Sequence, residues 1–153
     1  DSALQQIDLP ISARGLLRYY RFGPTELGYD SASTVLKTEA FSGIGLRPYS
    51  VAHLTAGRNP AGAITLRWVR RTRQDGDSWE SVEVPLAEAS ESYLLRLTSG
   101  STVIREETVP APEWLYTPAM QAADGLSGPV TIAVAQLSQR YGAGPFRSVA
   151  VTL

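Results

Sequence analysis

Apolar and polar residues alternate with a period of two in short runs along this chain. Ile64, Leu66 and Trp68 alternate with Thr65 and Arg67, and Tyr93, Leu95 and Leu97 share one face with Arg96 on the other. Val130, Ile132 and Val134 alternate with Thr131 and Ala133, and Val149, Val151 and Leu153 with Ala150 and Thr152. A period of two over four to eight residues places one face of each run in a core and the other in water, which predicts half-buried β-strands. Turn residues fall between the runs, at Asp75-Gly76, Ser99-Gly100 and the stretch from Gly142 to Pro145, where hairpins need them. One helical turn is predicted over 117–123, with Thr117 as its cap, Pro118 at its first position and Gly125 just past its end.

This pattern predicts an all-β chain built on an antiparallel sandwich. A boundary is expected between Gly43 and Pro48. Residues 47–153, about 107 in number, have the size of one sandwich domain. Residues 1–46 hold two more strand candidates, 16–22 and 34–41, separated by Gly23-Pro24 and a polar stretch. Both carry apolar groups on both faces, and two strands alone are marginal in water. This segment is therefore expected to be the hairpin-like end of a preceding domain, ordered by partners. The opening from Asp1 to Gln6 has no initiator Met and no basic or apolar stretch, and the chain reads as part of a longer one.

Composition narrows the chemistry. With 153 residues, 43% of them hydrophobic, there is enough apolar material for one substantial core. A net charge of −1 removes the electrostatic case for a direct nucleic-acid site. No apolar run approaches the length of a transmembrane helix. The absence of cysteine removes disulfides, thiolate catalysis and cysteine-ligated metals. The single histidine, His53, excludes any site that needs two, and at the start of a first strand it reads as structural.

The remaining candidates are contact residues. Arg67, Arg70, Arg71 and Arg73 form the most basic stretch, but Asp75, Asp77, Glu80 and Glu83 follow at once. An exposed face paired across the sheet, or a protein interface, fits that arrangement better than an unopposed nucleic-acid surface. Glu106 and Glu107 are adjacent, so they point to opposite sheet faces and cannot share acid–base work. Asp75-Gly76-Asp77 lacks the later ligands of a calcium loop. No nucleophile elbow, phosphate loop or zinc-protease motif occurs, so no enzyme activity and no cofactor are expected. Among the aromatics, Trp68 extends the Ile64–Leu66 face and belongs to the core. Trp79 and Trp114 are placed in or beside loops, as plugs over the end of the sandwich or as a ligand platform. Tyr19 and Tyr20 fall on opposite faces of one strand, so at least one meets something outside its hairpin. The candidate interface or glycan contacts are thus Tyr19, Tyr20, Arg70, Arg71, Arg73, Trp79 and Trp114.

The runs 45–49, 52–54, 66–73 and 75–79, continued at 84–86, 91–93, 121–125, 134–137 and 144–146, resemble a known family. It is that of the tail-tip "megatron", or host-specificity, proteins of bacterial gene transfer agents and related siphophages. The resemblance spans nearly the whole chain and is densest from Arg47 onward. It implies a C-terminal structural segment of a tail tip, with any glycoside-hydrolase-like region upstream and none of its catalytic residues here. It also implies other tail-tip and baseplate proteins as partners, and further copies of the chain as a trimer about the tail axis. The implied location is the tail tip of a virion-like particle, assembled in the bacterial cytoplasm and extracellular after release. In outline the segment from Leu54 to Val151 is also similar to fibronectin type III domains. This implies an immunoglobulin/fibronectin type III-like antiparallel sandwich behind a two-stranded β segment, with an unusually long stretch from 73 to 92. A carbohydrate-binding module touching host glycans through its loop aromatics is the alternative function.

Overall fold

The computed structural model describes residues 7, 9–24, 26–28, 30–73 and 85–153. Two compact units are present, Asp1–Leu46 and Arg47–Leu153.

In the first unit a 3-10 turn, Ile11–Ala13, precedes an antiparallel ribbon of β1 (Arg18–Phe22) and β2 (Val35–Glu39), and a second, Ile44–Leu46, follows it. Both strands are shorter than the alternation predicts. Arg18 faces Glu39, Tyr20 faces Lys37 and Phe22 faces Val35 across the ladder. The Gly15 N–H donates to the Phe41 carbonyl at 2.9 Å and closes the open end. Tyr20 stacks on Phe22 with centroids 6.1 Å apart and meets Phe41 edge-on at 5.8 Å. Much of the apolar surface stays uncovered nonetheless, with Leu17, Tyr19, Val35, Leu36 and Ile44 all exposed.

The second unit is a sandwich. Its strands are β3 (Ala52–Arg58), β4 (Ile64–Val69), β5 (Tyr93–Ser99), β6 (Thr102–Val109) and β7 (Glu113–Tyr116). Helix α1 (Pro118–Asp124), β8 (Pro129–Ser138), the short β9 (Gly142–Ala143) and β10 (Arg147–Thr152) follow. One sheet has the order β3-β4-β7 and the other β10-β8-β5-β6, with β9 paired to β8. All pairings are antiparallel. The expected alternation is realised: Ile64, Leu66 and Trp68 of β4 are buried, as are Tyr93, Leu95 and Leu97 of β5 and Val130, Ile132 and Val134 of β8.

Local chemistry sets the connections. The Thr117 hydroxyl accepts the Met120 N–H at 3.2 Å, capping α1, and Gly125 ends it in the left-handed conformation, as the capping residues predict. Gly144 is required by space instead. Its N–H donates to the Gln136 carbonyl at 2.9 Å, and a β-carbon at this position would collide with the Pro48 carbonyl. His53 is exposed, with φ at 50°, where the β3–β4 register shifts between Ala52 and Thr55. It thus marks a bulge in an edge strand.

Trp68 is 4% exposed and meets Tyr93 of the opposite sheet edge-on, with centroids 5.1 Å apart. Trp68→Ala removes a large ring from the core and is expected to cost about 3–5 kcal/mol, much of the stability of an ordinary domain. A urea titration checks this; a midpoint equal to the parent's would place Trp68 outside the core.

Candidate functional site

The basic stretch leaves β4 and runs over the end of the sandwich, where its charges are engaged internally. Arg67 lies 3.7 Å from Glu113, on the neighbouring strand. Arg70 donates to the Pro85 carbonyl at 2.8 Å. The Arg71 N–H donates to Gln136 Oε1 at 3.3 Å, and its guanidinium lies over the Tyr49 ring at 5.1 Å. Arg73 donates to Glu88 Oε1 at 2.7 Å, both side chains being largely buried, and also covers the Tyr141 ring at 5.4 Å. Arg140 meets that same ring at 5.4 Å. Paired, stacked guanidiniums are held in place by the fold: Arg73 ties the segment after β4 to Glu88 and to the turn after β8, and Arg71 ties it to β8 and to Tyr49 ahead of β3. Of the nearby carboxylates, Glu88 and Glu113 are described; Asp75, Asp77, Glu80 and Glu83 lie outside the described residues, and so does the candidate calcium loop.

The aromatic candidates separate. Trp114 does not plug a loop end: it sits in β7, is 7% exposed and stacks on Tyr116 at 5.1 Å. It occupies the inward face opposite Leu66, so its ring offers no platform to a ligand. Trp79 lies outside the described residues. Tyr20 is half-buried in the ribbon's aromatic cluster, and its hydroxyl has no hydrogen-bond partner among the described residues. Tyr19, on the opposite ribbon face, is 72% exposed, the highest value among the exposed large apolar side chains of the described residues.

Carboxylates do not converge. Glu106 pairs with Arg96 at 2.7 Å, while Glu107 lies 3.9 Å from Arg105 on the other face. Among the described residues no group of three or more His, Asp or Glu side chains gathers as metal ligands. An open hollow of about 390 Å³ lies beside Thr55, Gly57, Arg58, Thr65 and Arg67. Two of its cations are already engaged, Arg67 by Glu113 and Arg58 by the Thr152 carbonyl at 3.3 Å.

One constellation is not singled out by the sequence. Arg105 and Glu107 stand opposite Leu97 and Leu95 and so face inward from the edge strand β6. Arg105 forms a bidentate pair with Asp124 of α1, at 3.0 and 2.6 Å, and the Tyr116 hydroxyl donates to the same carboxylate at 2.8 Å. The Arg105 hydrogen bonds, with help from Tyr116, hold the Asp124 carboxyl below its ordinary range against the opposing effect of burial. Burial and then Asp124 push the Tyr116 phenol up. Burial likewise raises the Tyr93 phenol, which donates to Glu91 at 2.6 Å. A signal for the network exists: an aspartate ending a helix opposes the helix dipole, and such a local conflict points to a tertiary partner.

Among solved structures the chain is similar to domains d3-d4 of the rat CD45 extracellular region, with a TM-score of 0.51 and 11% identity over 100% of this chain and 72% of that one. It also matches the FN1-FN3 domains of chicken CNTN1, at 12% identity over 78% of this chain and 35% of that one, with a TM-score of 0.46. The FN5 domain of Drosophila Lar matches at 15% identity over 69% of this chain and 95% of that one, with a TM-score of 0.41. No protein-family model matches the chain, and no curated protein sequence matches it. At these identities the likeness concerns the fold, which is all-β and fibronectin type III-like. Among the described residues no helix is long and apolar enough to cross a membrane.

The Arg105–Asp124–Tyr116 network predicts an acid dependence of stability. A carboxyl whose folded pKa lies below its unfolded value stabilises the fold above the unfolded value and loses that contribution as pH falls through the folded one. Asp124→Asn is therefore expected to cost about 2 kcal/mol at neutral pH and to lose less stability than the parent on acidification below about pH 4. Thermal melts of both proteins from neutral to acid pH check this; parallel pH profiles would show that Asp124 carries no such linkage.

Proposed function

We propose that this chain is a non-catalytic structural module of a phage-like tail tip or baseplate, of the gene transfer agent type, that works through protein–protein contacts. The observation that carries the reading is the division of its apolar surface. Among the described residues the sandwich buries most of its large apolar side chains and leaves Tyr49, Val69, Val103, Leu115 and Phe146 exposed, whereas the much smaller ribbon unit presents Leu16, Leu17, Tyr19, Phe22, Val35 and Leu36 to solvent. An uncovered apolar ribbon is a surface made for assembly. The tail setting rests on the sequence resemblance, which runs through strands and turns of the sandwich alike. In this reading the module contributes to tail assembly and to host-envelope attachment or DNA delivery. Its partners are tail-tip and baseplate proteins and further copies of the chain, and its place is the tail tip of a virion-like particle.

The glycan-binding alternative draws less support. A sugar platform needs exposed aromatic faces; of the two tryptophans that it would use, Trp114 is buried in the sandwich and Trp79 lies outside the described residues.

Co-purification tests the reading. In cells that produce the chain, it is expected to sediment with tailed particles, and a label on it is expected at the tail tip in electron micrographs. Particles that lack the chain altogether would overturn the assignment.

A further inference from the structure

The sandwich has two lateral seams, and among the described residues only one of them is covered. Helix α1 folds over the β6 side, where Asp124 holds Arg105. On the other side the edge strands β3 and β10 run beside each other in different sheets. Their side chains Leu54, Ala56, Val149 and Val151 pack against the core but are only partly buried. This seam therefore keeps apolar surface that a further strand would take out of water.

The ladder of β10 fixes where its backbone groups point. The Leu153 N–H donates to the Gly128 carbonyl at 2.9 Å, and Val151, Val149 and Arg147 follow in the same phase, opposite Val130, Ile132 and Val134. Bonded and non-bonded pairs alternate in an antiparallel ladder, so the N–H and C=O groups of Ser148, Ala150 and Thr152 point away from β8. Arg58 of β3 agrees with this direction, since its guanidinium donates to the outward Thr152 carbonyl at 3.3 Å. Among the described residues β10 has no strand on that side, and its six pairs with β8 run without a register shift. Ser148 and Ala150, both exposed, thus present two donors and two acceptors at strand spacing, an edge suited to strand addition.

Charge says which strand fits. β3, β8 and β10 contain no carboxylate, and the exposed Arg147 and Arg58 stand at the two ends of the open edge. We propose that β10 is the acceptor edge for an acidic, extended segment of a partner protein, which adds to the β10-β8-β5-β6 sheet as its next strand. The backbone of that segment bonds Ser148 and Ala150, its alternate apolar side chains cover Val149 and Val151, and its flanking carboxylates meet Arg147 and Arg58. The sandwich folds without this strand, and the proposal rests neither on the ribbon nor on the tail setting. A failure here leaves the co-purification result untouched.

The blocked peptide Glu-Thr-Val-Thr-Val-Thr-Glu, added to the full chain, tests this. Its valines and glutamates share one face, and its two ends match both arginines in either strand direction. Amide exchange followed by nuclear magnetic resonance is the readout. In the free chain the Ser148 and Ala150 amides are expected to exchange fast and those of Val149 and Val151 slowly. Binding is expected to saturate below about 1 mM. With peptide at about ten times its dissociation constant the free fraction, and with it the exchange of Ser148 and Ala150, falls about tenfold. Ala150→Pro deletes an outward donor, leaves the β8 ladder its bonds, and should abolish binding. Arg147→Glu leaves the backbone as it is and should weaken binding about fivefold, and a lysine-ended peptide should bind the parent more weakly by at least as much. Slow exchange of Ser148 and Ala150 in the free monomer would overturn the proposal. So would no binding of the acidic peptide, equal binding of the lysine-ended one, or binding indifferent to a folded Ala150→Pro variant or to Arg147→Glu.

Discussion

The contact of Trp68 with Tyr93 is the join on which the sandwich depends. The two rings come from different sheets and meet edge-on at 5.1 Å, a geometry in which aromatic pairs attract beyond their buried area. Around them the inward rows of β4, β5, β7 and β8 form one continuous cluster of buried residues. Each sheet is covered on one face only by the other, and this is why alternation, rather than continuous apolar runs, suffices along these strands. The dependence on the joined rows also explains why polar groups at the periphery are tied so firmly. Gln136 and Ser138, both buried, spend their side-chain oxygens on the N–H groups of Arg71, Arg140 and Tyr141, leaving those oxygens satisfied away from water.

Edges distinguish the two units. In the sandwich, β3 carries a bulge at His53, β7 is four residues long, and β6 turns Arg105 and Glu107 inward, with Asp124 as partner. These are three recognised ways of discouraging edge-to-edge pairing. β1 has neither a bulge nor a proline, and its charges are interleaved with aromatics. Three of the four sandwich edges are guarded in this way, β10 being the fourth, whereas β1 is not. That contrast supports a module whose work is contact, and it directs attention away from the arginine stretch, whose members are occupied in holding the sandwich end together.

Much of this is legible in the chain. The strands from Ile64 to Trp68, Tyr93 to Leu97 and Val130 to Val134 follow from alternation, because one solvated face forces a period of two. The cap at Thr117 and the stop at Gly125 follow from side-chain chemistry. Trp114 escapes that logic because Pro110 and Pro112 read as loop punctuation, while the four-residue strand behind them is too short for periodicity to register. The carboxylate that Arg105 finds has no trace in the spacing. Asp124 is 19 residues away and arrives only when α1 folds back over the sandwich edge. Arg73 and Glu88, 15 residues apart, are joined for the same reason, by the fold and not by neighbouring sequence.

The central claim is that one unit is complete in itself and the other completes itself against a partner. Native-state hydrogen exchange on the full chain, at a concentration where it is monomeric, tests this most directly. Amides of 64–69 and 130–135 are expected to exchange only through global unfolding, and those of 18–22 and 35–39 to exchange far faster. Equal protection of the ribbon and the sandwich in the monomer would contradict the account.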